Sequence, residues 1–197
     1  MKKTFSILAL VVVISSSCFY FFTSQPKNIF DEIYQETEQT YLGNNVFNKL
    51  KDVEVHKYQE YSDDSKFYPS IVYERNALPD SYEKIAIDFN FKSEAQLSLI
   101  SFEKRIESNV SIKMWTVYSH KERSLKKFVK IVLKKAGTKN YIEDEAQVKS
   151  YLEQYGITAK DLDSYYDEIV NQKVLKDWSS IYDSKYSPSN YGDIKIE

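Results

Sequence analysis

Between about residues 52 and 134 apolar side chains recur at every second position, and this period constrains the fold more than any other feature of the chain. Ile85, Ile87, Phe89 and Phe91 alternate with Lys84, Ala86, Asp88, Asn90 and Lys92. Val110, Ile112, Met114, Thr116 and Tyr118 alternate in the same way with Ser111, Lys113, Trp115, Val117 and Ser119. Successive side chains of a strand point to opposite faces, so such alternation buries one face of a sheet and leaves the other wet. Less regular strands are expected at roughly 52–61, 69–75, 96–104 and 126–134. Their connections are short and rich in Asp, Ser and Asn, as at Ser62-Asp63-Asp64-Ser65, Pro79-Asp80-Ser81 and Glu107-Ser108-Asn109. Short connections join antiparallel neighbours, because parallel pairs need a crossover.

Helical spacing flanks this region. Asn28-Ile29-Phe30-Asp31-Glu32-Ile33-Tyr34 places apolar residues at 29, 30, 33 and 34 and continues to Tyr41. Asn28 serves as its N-cap, and Asp31 and Glu32 sit against the positive end of the helix dipole. Gly43-Asn44-Asn45 stops it. After Gly137 the pattern turns helical again, with one helix from Glu143 to Tyr155 and another from Thr158 to about Asn171, divided by Gly156. Thr158 and Asp161 have capping-box spacing, with Asp in place of Glu. Val174 to Tyr182 reads as a further helical stretch, and Tyr191 to Ile196 as a candidate short edge strand. The composite is an α+β domain over residues 26–197.

Residues 1–25 read as an anchor and spacer. Lys2 and Lys3 precede Phe5 to Phe22, 18 residues without a charge. As a helix this run spans about 27 Å, close to the thickness of a bilayer's hydrocarbon core. Phe19-Tyr20-Phe21-Phe22 suits the outer interface, and the lysines hold the N-terminus in the cytoplasm. The expected topology is a single-pass cell-membrane protein that meets the bilayer through residues 5–22 and carries its C-terminal domain outside. Two alternatives stand beside it, a cleaved signal peptide and a lipoprotein anchored at Cys18 after Ser15-Ser16-Ser17. Cys18 is the only cysteine, so no disulfide forms within the domain.

Catalytic signatures are missing from the sequence. The two histidines, His56 and His120, fall on different expected strands and read as rim residues. No Gly-x-Ser-x-Gly, phosphate loop or His-Glu-x-x-His occurs. Asp161, Asp163, Asp167 and Glu168 fit the solvated face of a helix rather than a calcium loop. The expectation is a non-enzymatic protein without a cofactor or metal. Charge is blocked along the chain: residues 27–102 hold 8 basic and 14 acidic side chains, residues 103–135 hold 10 and 3, and residues 143–197 hold 6 and 12. Folding can interleave such blocks, and no nucleic-acid recognition motif accompanies the basic one.

The layout resembles the TipC family of immunity proteins. The resemblance rests on the short anchor, on Asn28-Ile29-Phe30-Asp31-Glu32-Ile33-Tyr34, on Tyr-rich strands such as Ile85-Ala86-Ile87-Asp88-Phe89-Asn90-Phe91, and on the acidic helical C-terminal third. It implies a crescent-shaped domain, a curved antiparallel sheet of about six to seven strands with about three helices, preceded by one N-terminal membrane helix. It also implies a role at the outer membrane face, neutralising a TelC-like toxin that is exported by type VII secretion and degrades lipid II. The concave sheet face would then bind the toxin.

The candidate partner-binding residues follow from the alternation. With Ile85, Ile87, Phe89, Phe91, Val110, Ile112 and Met114 packed under the helices, regular registers leave Glu54, Tyr58, Glu74, Asp88, Asn90, Lys113 and Trp115 on the opposite face. A Trp among charges on a wet strand has no evident packing duty, and Trp is enriched among interface hot spots. The carboxylates of this set suggest a basic or metal-bearing partner surface. The competing classes are an anchored envelope enzyme and an accessory subunit of a secretion or sensory complex.

Overall fold

The computed structural model describes residues 25–39, 49–50, 52–59, 67–74, 76, 78–90, 97–188 and 195–196. The expected membrane segment 5–22, Cys18 and the helix stop at Gly43-Asn44-Asn45 lie outside them. Among the described residues no helix is long and apolar enough to cross a membrane.

Seven strands form one antiparallel meander: β1 (Val53–Gln59), β2 (Phe67–Tyr73), β3 (Tyr82–Asn90), β4 (Leu97–Glu107), β5 (Val110–Ser119), β6 (Ser124–Lys135) and β7 (Thr138–Ile142). Each pairs with the next in sequence. An eighth strand, β8 (Lys195–Ile196), runs parallel to the start of β6, with Ser124 opposite Lys195. The alternation read from the sequence fixes the two faces. Ile85, Phe102, Met114 and Val129 pair in succession across β3–β6, forming a row that points into the core.

Three helical runs cover that face. They are α1 (Ile29–Gln39), α2 (Glu145–Gln154) and a continuous run from α3 (Ala159–Tyr166) through a π-helical segment at Asp167–Leu175 into α4 (Lys176–Tyr182). Asn28 caps α1, accepting the Asp31 N–H at 2.9 Å. Asp144 accepts the Gln147 N–H at 3.0 Å and caps α2. The Thr158–Asp161 capping box forms at the start of α3. Ile169, Val170, Val174, Leu175 and Trp178 from the last run meet Ile29, Phe30 and the sheet in one core. Burying side chains of this size stabilises the fold by about 1.5–3 kcal/mol each. The Trp178 indole N–H donates to Glu32 Oε2 at 3.0 Å, joining the last helix to the first.

The sequence reading needs three corrections here. Residues 138–142 are strand rather than the approach to a helix. Ala136 (φ 49°) and Gly137 (φ 83°) form a two-residue turn with both φ positive, which matches the twist of a tight hairpin. The expected interruption between Asn171 and Val174 is absent, because the π segment carries the helix through it and keeps Ile169, Val170, Val174 and Leu175 buried. The strand registers are not regular throughout, since pairing shifts between Tyr82 and Lys84 and between Arg105 and Glu107.

Candidate partner-binding face

The face turned away from the helices is built by the other half of each alternation. Glu54, Val72, Ala86, Ser101, Trp115 and Phe128 pair in succession from β1 to β6 and form one row across it. The neighbouring row is Lys84, Glu103, Lys113 and Lys130. Val132 and Tyr141 pair across β6 and β7 on the same face.

The sequence-derived residues divide into groups on this face. Lys113 and Trp115 lie together on β5. The Trp115 ring stacks on Phe128, with centroids 5.3 Å apart and planes 14° apart, so it covers neither a loop nor a helix. Lys130 Nζ lies 5.1 Å from the Trp115 ring centroid and 4.5 Å from that of Tyr141. A cation over such rings gains about 0.5–2 kcal/mol, depending on its hydration. Phe128 and Tyr141, 40% and 44% exposed, are the exposed large apolar side chains among the described residues. Glu54, on β1, lies four strand spacings from Trp115, about 19 Å, and Glu74, just past the end of β2, lies three spacings away, about 14 Å. There they line an open depression of about 540 Å³ with Asn76, Glu83 and Lys84. Asp88 is opposite Ser70 and Leu99, Tyr58 opposite Tyr68 and Asn90 opposite Leu97. For these three, backbone position alone is described.

Electrostatics around Trp115 differ from the sequence expectation, because the charges there are mainly basic. Glu103 is sunk among them with its side chain 5% exposed, and Lys139 holds both of its oxygens, at 2.9 and 2.8 Å. Burial opposes the charge on Lys139, but Glu103 outweighs it and raises the ammonium pKa. Lys130 pairs with Glu143 at 2.7 Å, and Lys134 pairs with Glu83. Lys113 is pushed down by burial and further by Lys130, Lys84 and Lys139, with Glu103 opposing.

Folding divides the basic block 103–135 between the two faces. Lys104 turns to the helices, 4.1 Å from the Tyr82 ring centroid and 4.5 Å from that of Tyr165. Lys127 does the same, lying 4.0 Å from the Tyr166 ring centroid and 3.3 Å from Asp163 Oδ1. Glu168 accepts the Tyr82 hydroxyl at 2.7 Å, and Asp167 accepts Asn171 Nδ2 at 2.8 Å. Carboxylates read as a merely solvated helix face therefore have structural partners. Lys113, Lys130 and Lys134 remain on the open side.

His120 is not a rim residue. Its side chain is 7% exposed, with Nδ1 3.0 Å from Asp31 Oδ1 and the Tyr34 ring 4.0 Å from its own. Tyr118 donates to the same carboxylate oxygen at 3.0 Å. Packed against α1 on the core side, this pair serves the fold. Among the described residues no three His, Cys, Asp or Glu side chains are grouped to hold a metal ion.

Sequence reasoning missed Phe128, Lys130, Lys139, Tyr141 and Glu103. Phe128 and Lys130 alternate with Lys127, Val129 and Ile131 along β6, a pattern that would have placed them on the face of Trp115. Tyr141 and Lys139 lay on the unrecognised strand β7.

A single sheet with one face packed and one face open, carrying exposed aromatics and charge, defines a binding domain. The sequence matches the family described as TipC immunity protein-like over residues 2–197, and the chain belongs to that family. It is similar to the solved structure of TipC2 from Streptococcus intermedius B196, at 62% identity and a TM-score of 0.84, covering 88% of this chain and 96% of that one. No curated protein matches the sequence. Membership of an immunity-protein family implies toxin neutralisation by binding a cognate toxin, a role without catalysis.

Proposed function

We propose that this protein is anchored in the cell membrane and neutralises an antibacterial toxin on its open sheet face, outside the cell. The toxin is of the TelC-like kind, exported by type VII secretion and acting on lipid II. The observation that carries the reading is the stack of half-buried Trp115 on exposed Phe128, on a sheet face left free by the helices, in a chain of an immunity-protein family. Trp is among the residues enriched at the hot spots of protein interfaces, and aromatic side chains are enriched there relative to the rest of the surface. The uncharged run 5–22 behind Lys2-Lys3 supports membrane anchoring, and capture there would intercept a toxin before it reaches a membrane-bound substrate.

The test is to express the full chain in a susceptible Gram-positive strain and challenge it with the toxin encoded beside its gene. Growth should be restored, and the toxin should co-purify with the membrane protein. Continued killing with no co-purification would overturn the reading.

A further inference from the structure

The open face is polar in the sense of a magnet. One end carries Glu54 and Glu74 in their depression, and the other carries Lys113, Lys130, Lys134 and Lys139 around the aromatic rings. Most of these lysines are already matched: Lys139 by Glu103, Lys130 by Glu143, Lys134 by Glu83. Lys113 is the exception. Among the described residues its ammonium makes no hydrogen bond or ion pair, although Glu103 is its cross-strand neighbour on β4. On its other side, on β6, it directly faces a second lysine, Lys130. A half-buried ammonium beside a like charge is unfavourable unless an anion completes the group.

We propose that Lys113 receives a carboxylate projecting from the bound protein partner, with Lys130 and the Trp115–Phe128 stack framing the contact. This rests on the reading of the open face as the toxin-binding surface and adds the partner's chemistry to it. The toxin presents an Asp or Glu to the β5–β6 end, so the acidic residues of the sequence-derived set are not the determinants there. The aromatic rings exclude water from one side of the contact, which strengthens a charge-assisted hydrogen bond. The basic end also orients the partner during approach, so the attraction is expected to weaken with salt.

The experiment titrates the full chain, in detergent micelles, with the purified toxin encoded beside its gene. Lys113→Glu should weaken binding about 30-fold, and Lys113→Met about tenfold, while Lys113→Arg stays within about threefold. The wild-type affinity should fall with salt more steeply than that of Lys113→Met. Replacing the contacting toxin carboxylate by Lys should restore binding to Lys113→Glu. Circular dichroism checks the fold, and Lys113→Met keeps the test open should the Glu variant fail to fold. Wild-type binding that Lys113→Glu and Lys113→Met both retain would overturn this inference and leave the function reading standing. No binding by wild type would remove both. Phosphatidylglycerol vesicles are the control: if they bind through Lys113 while toxin binding ignores it, the occupant is a lipid headgroup and the inference falls.

Discussion

His120 Nδ1 lies 3.0 Å from Asp31 Oδ1, and this contact joins the end of β5 to the first turn of α1 across 89 residues of sequence. Asp31 collects further donors: the Lys27 N–H at 3.1 Å, Asn28 Nδ2 at 3.1 Å and the Tyr118 hydroxyl at 3.0 Å. Asn28 Nδ2 also donates to the Tyr118 hydroxyl at 2.6 Å. The first helix of the domain is thereby fixed to the sheet by side chains from both.

The Asp31 carboxylate in this network makes stability depend on pH. Burial alone would raise the Asp31 pKa, but the donors and the His120 charge outweigh it and hold the carboxyl below its usual range. A depressed carboxyl contributes stability above its unfolded pKa, about 4, and loses it as pH falls through the folded value. At pH 7 we expect Asp31→Asn to cost about 2 kcal/mol. Thermal unfolding of both proteins from neutral pH downward should show the gap closing below about pH 4. A gap of constant size would show that the carboxylate charge is not what counts.

Local signals were legible in the sequence wherever neighbours in the chain supply them. The alternation on β3 and β5 gave the sheet and its buried face, Asn28 announced the start of α1, and Thr158 with Asp161 announced α3. Contacts made across long sequence separations were not legible. His120 looked like a rim residue because its carboxylate partner lies on α1. Trp115 could be assigned to a face, but its stacking partner Phe128 depends on the β5–β6 register. Strand β7 was missed because Gly137 was taken as the end of the strands, when Ala136-Gly137 is a hairpin turn. With that strand went Tyr141 and Lys139, the part of the basic and aromatic end that lies beyond β6.

The same turn offers a stability test. Ala136 sits at φ 49°, where a Cβ is strained, and Gly137 follows at φ 83°. Asn tolerates positive φ better than Ala, and Asn-Gly is the preferred pair for such a hairpin. Ala136→Asn should therefore stabilise the domain by about 0.5–1 kcal/mol, read as an increased denaturation midpoint at unchanged slope. Gly137→Ala should do the opposite.

Cys18 separates the two kinds of anchor. If the run 5–22 is held in the bilayer as a helix, Cys18→Ser leaves the protein in the membrane fraction, because the substitution changes one atom within a long apolar segment. A lipid-anchored protein would instead lose its thioether attachment, and the variant would move to the soluble fraction. Fractionation of cells expressing either form decides between them.

Lys113 brings stability and binding into opposition. Burial and three neighbouring lysines hold its ammonium pKa below the usual value, with only Glu103 opposing. Between the folded pKa and the unfolded value of about 10.4, the unfolded chain binds more protons, so stability rises with pH across that window. Below it, at pH 7, the penalty is present in full. Directly opposed like charges on adjacent strands cost roughly 0.2–1 kcal/mol, and Lys113 faces Lys130 in this way. Lys113→Met keeps the apolar stem that packs on the sheet and removes the charge. We expect this variant to be more stable than wild type by roughly 0.5 kcal/mol at pH 7. The advantage should shrink as pH rises toward about 10.4, where wild-type Lys113 loses its proton too. Thermal melts across that range, run beside the toxin titration, test both halves. A variant that gains stability while losing affinity is what a binding residue held against its own fold should give. One that melts lower than wild type would show that the ammonium is instead stabilised in place.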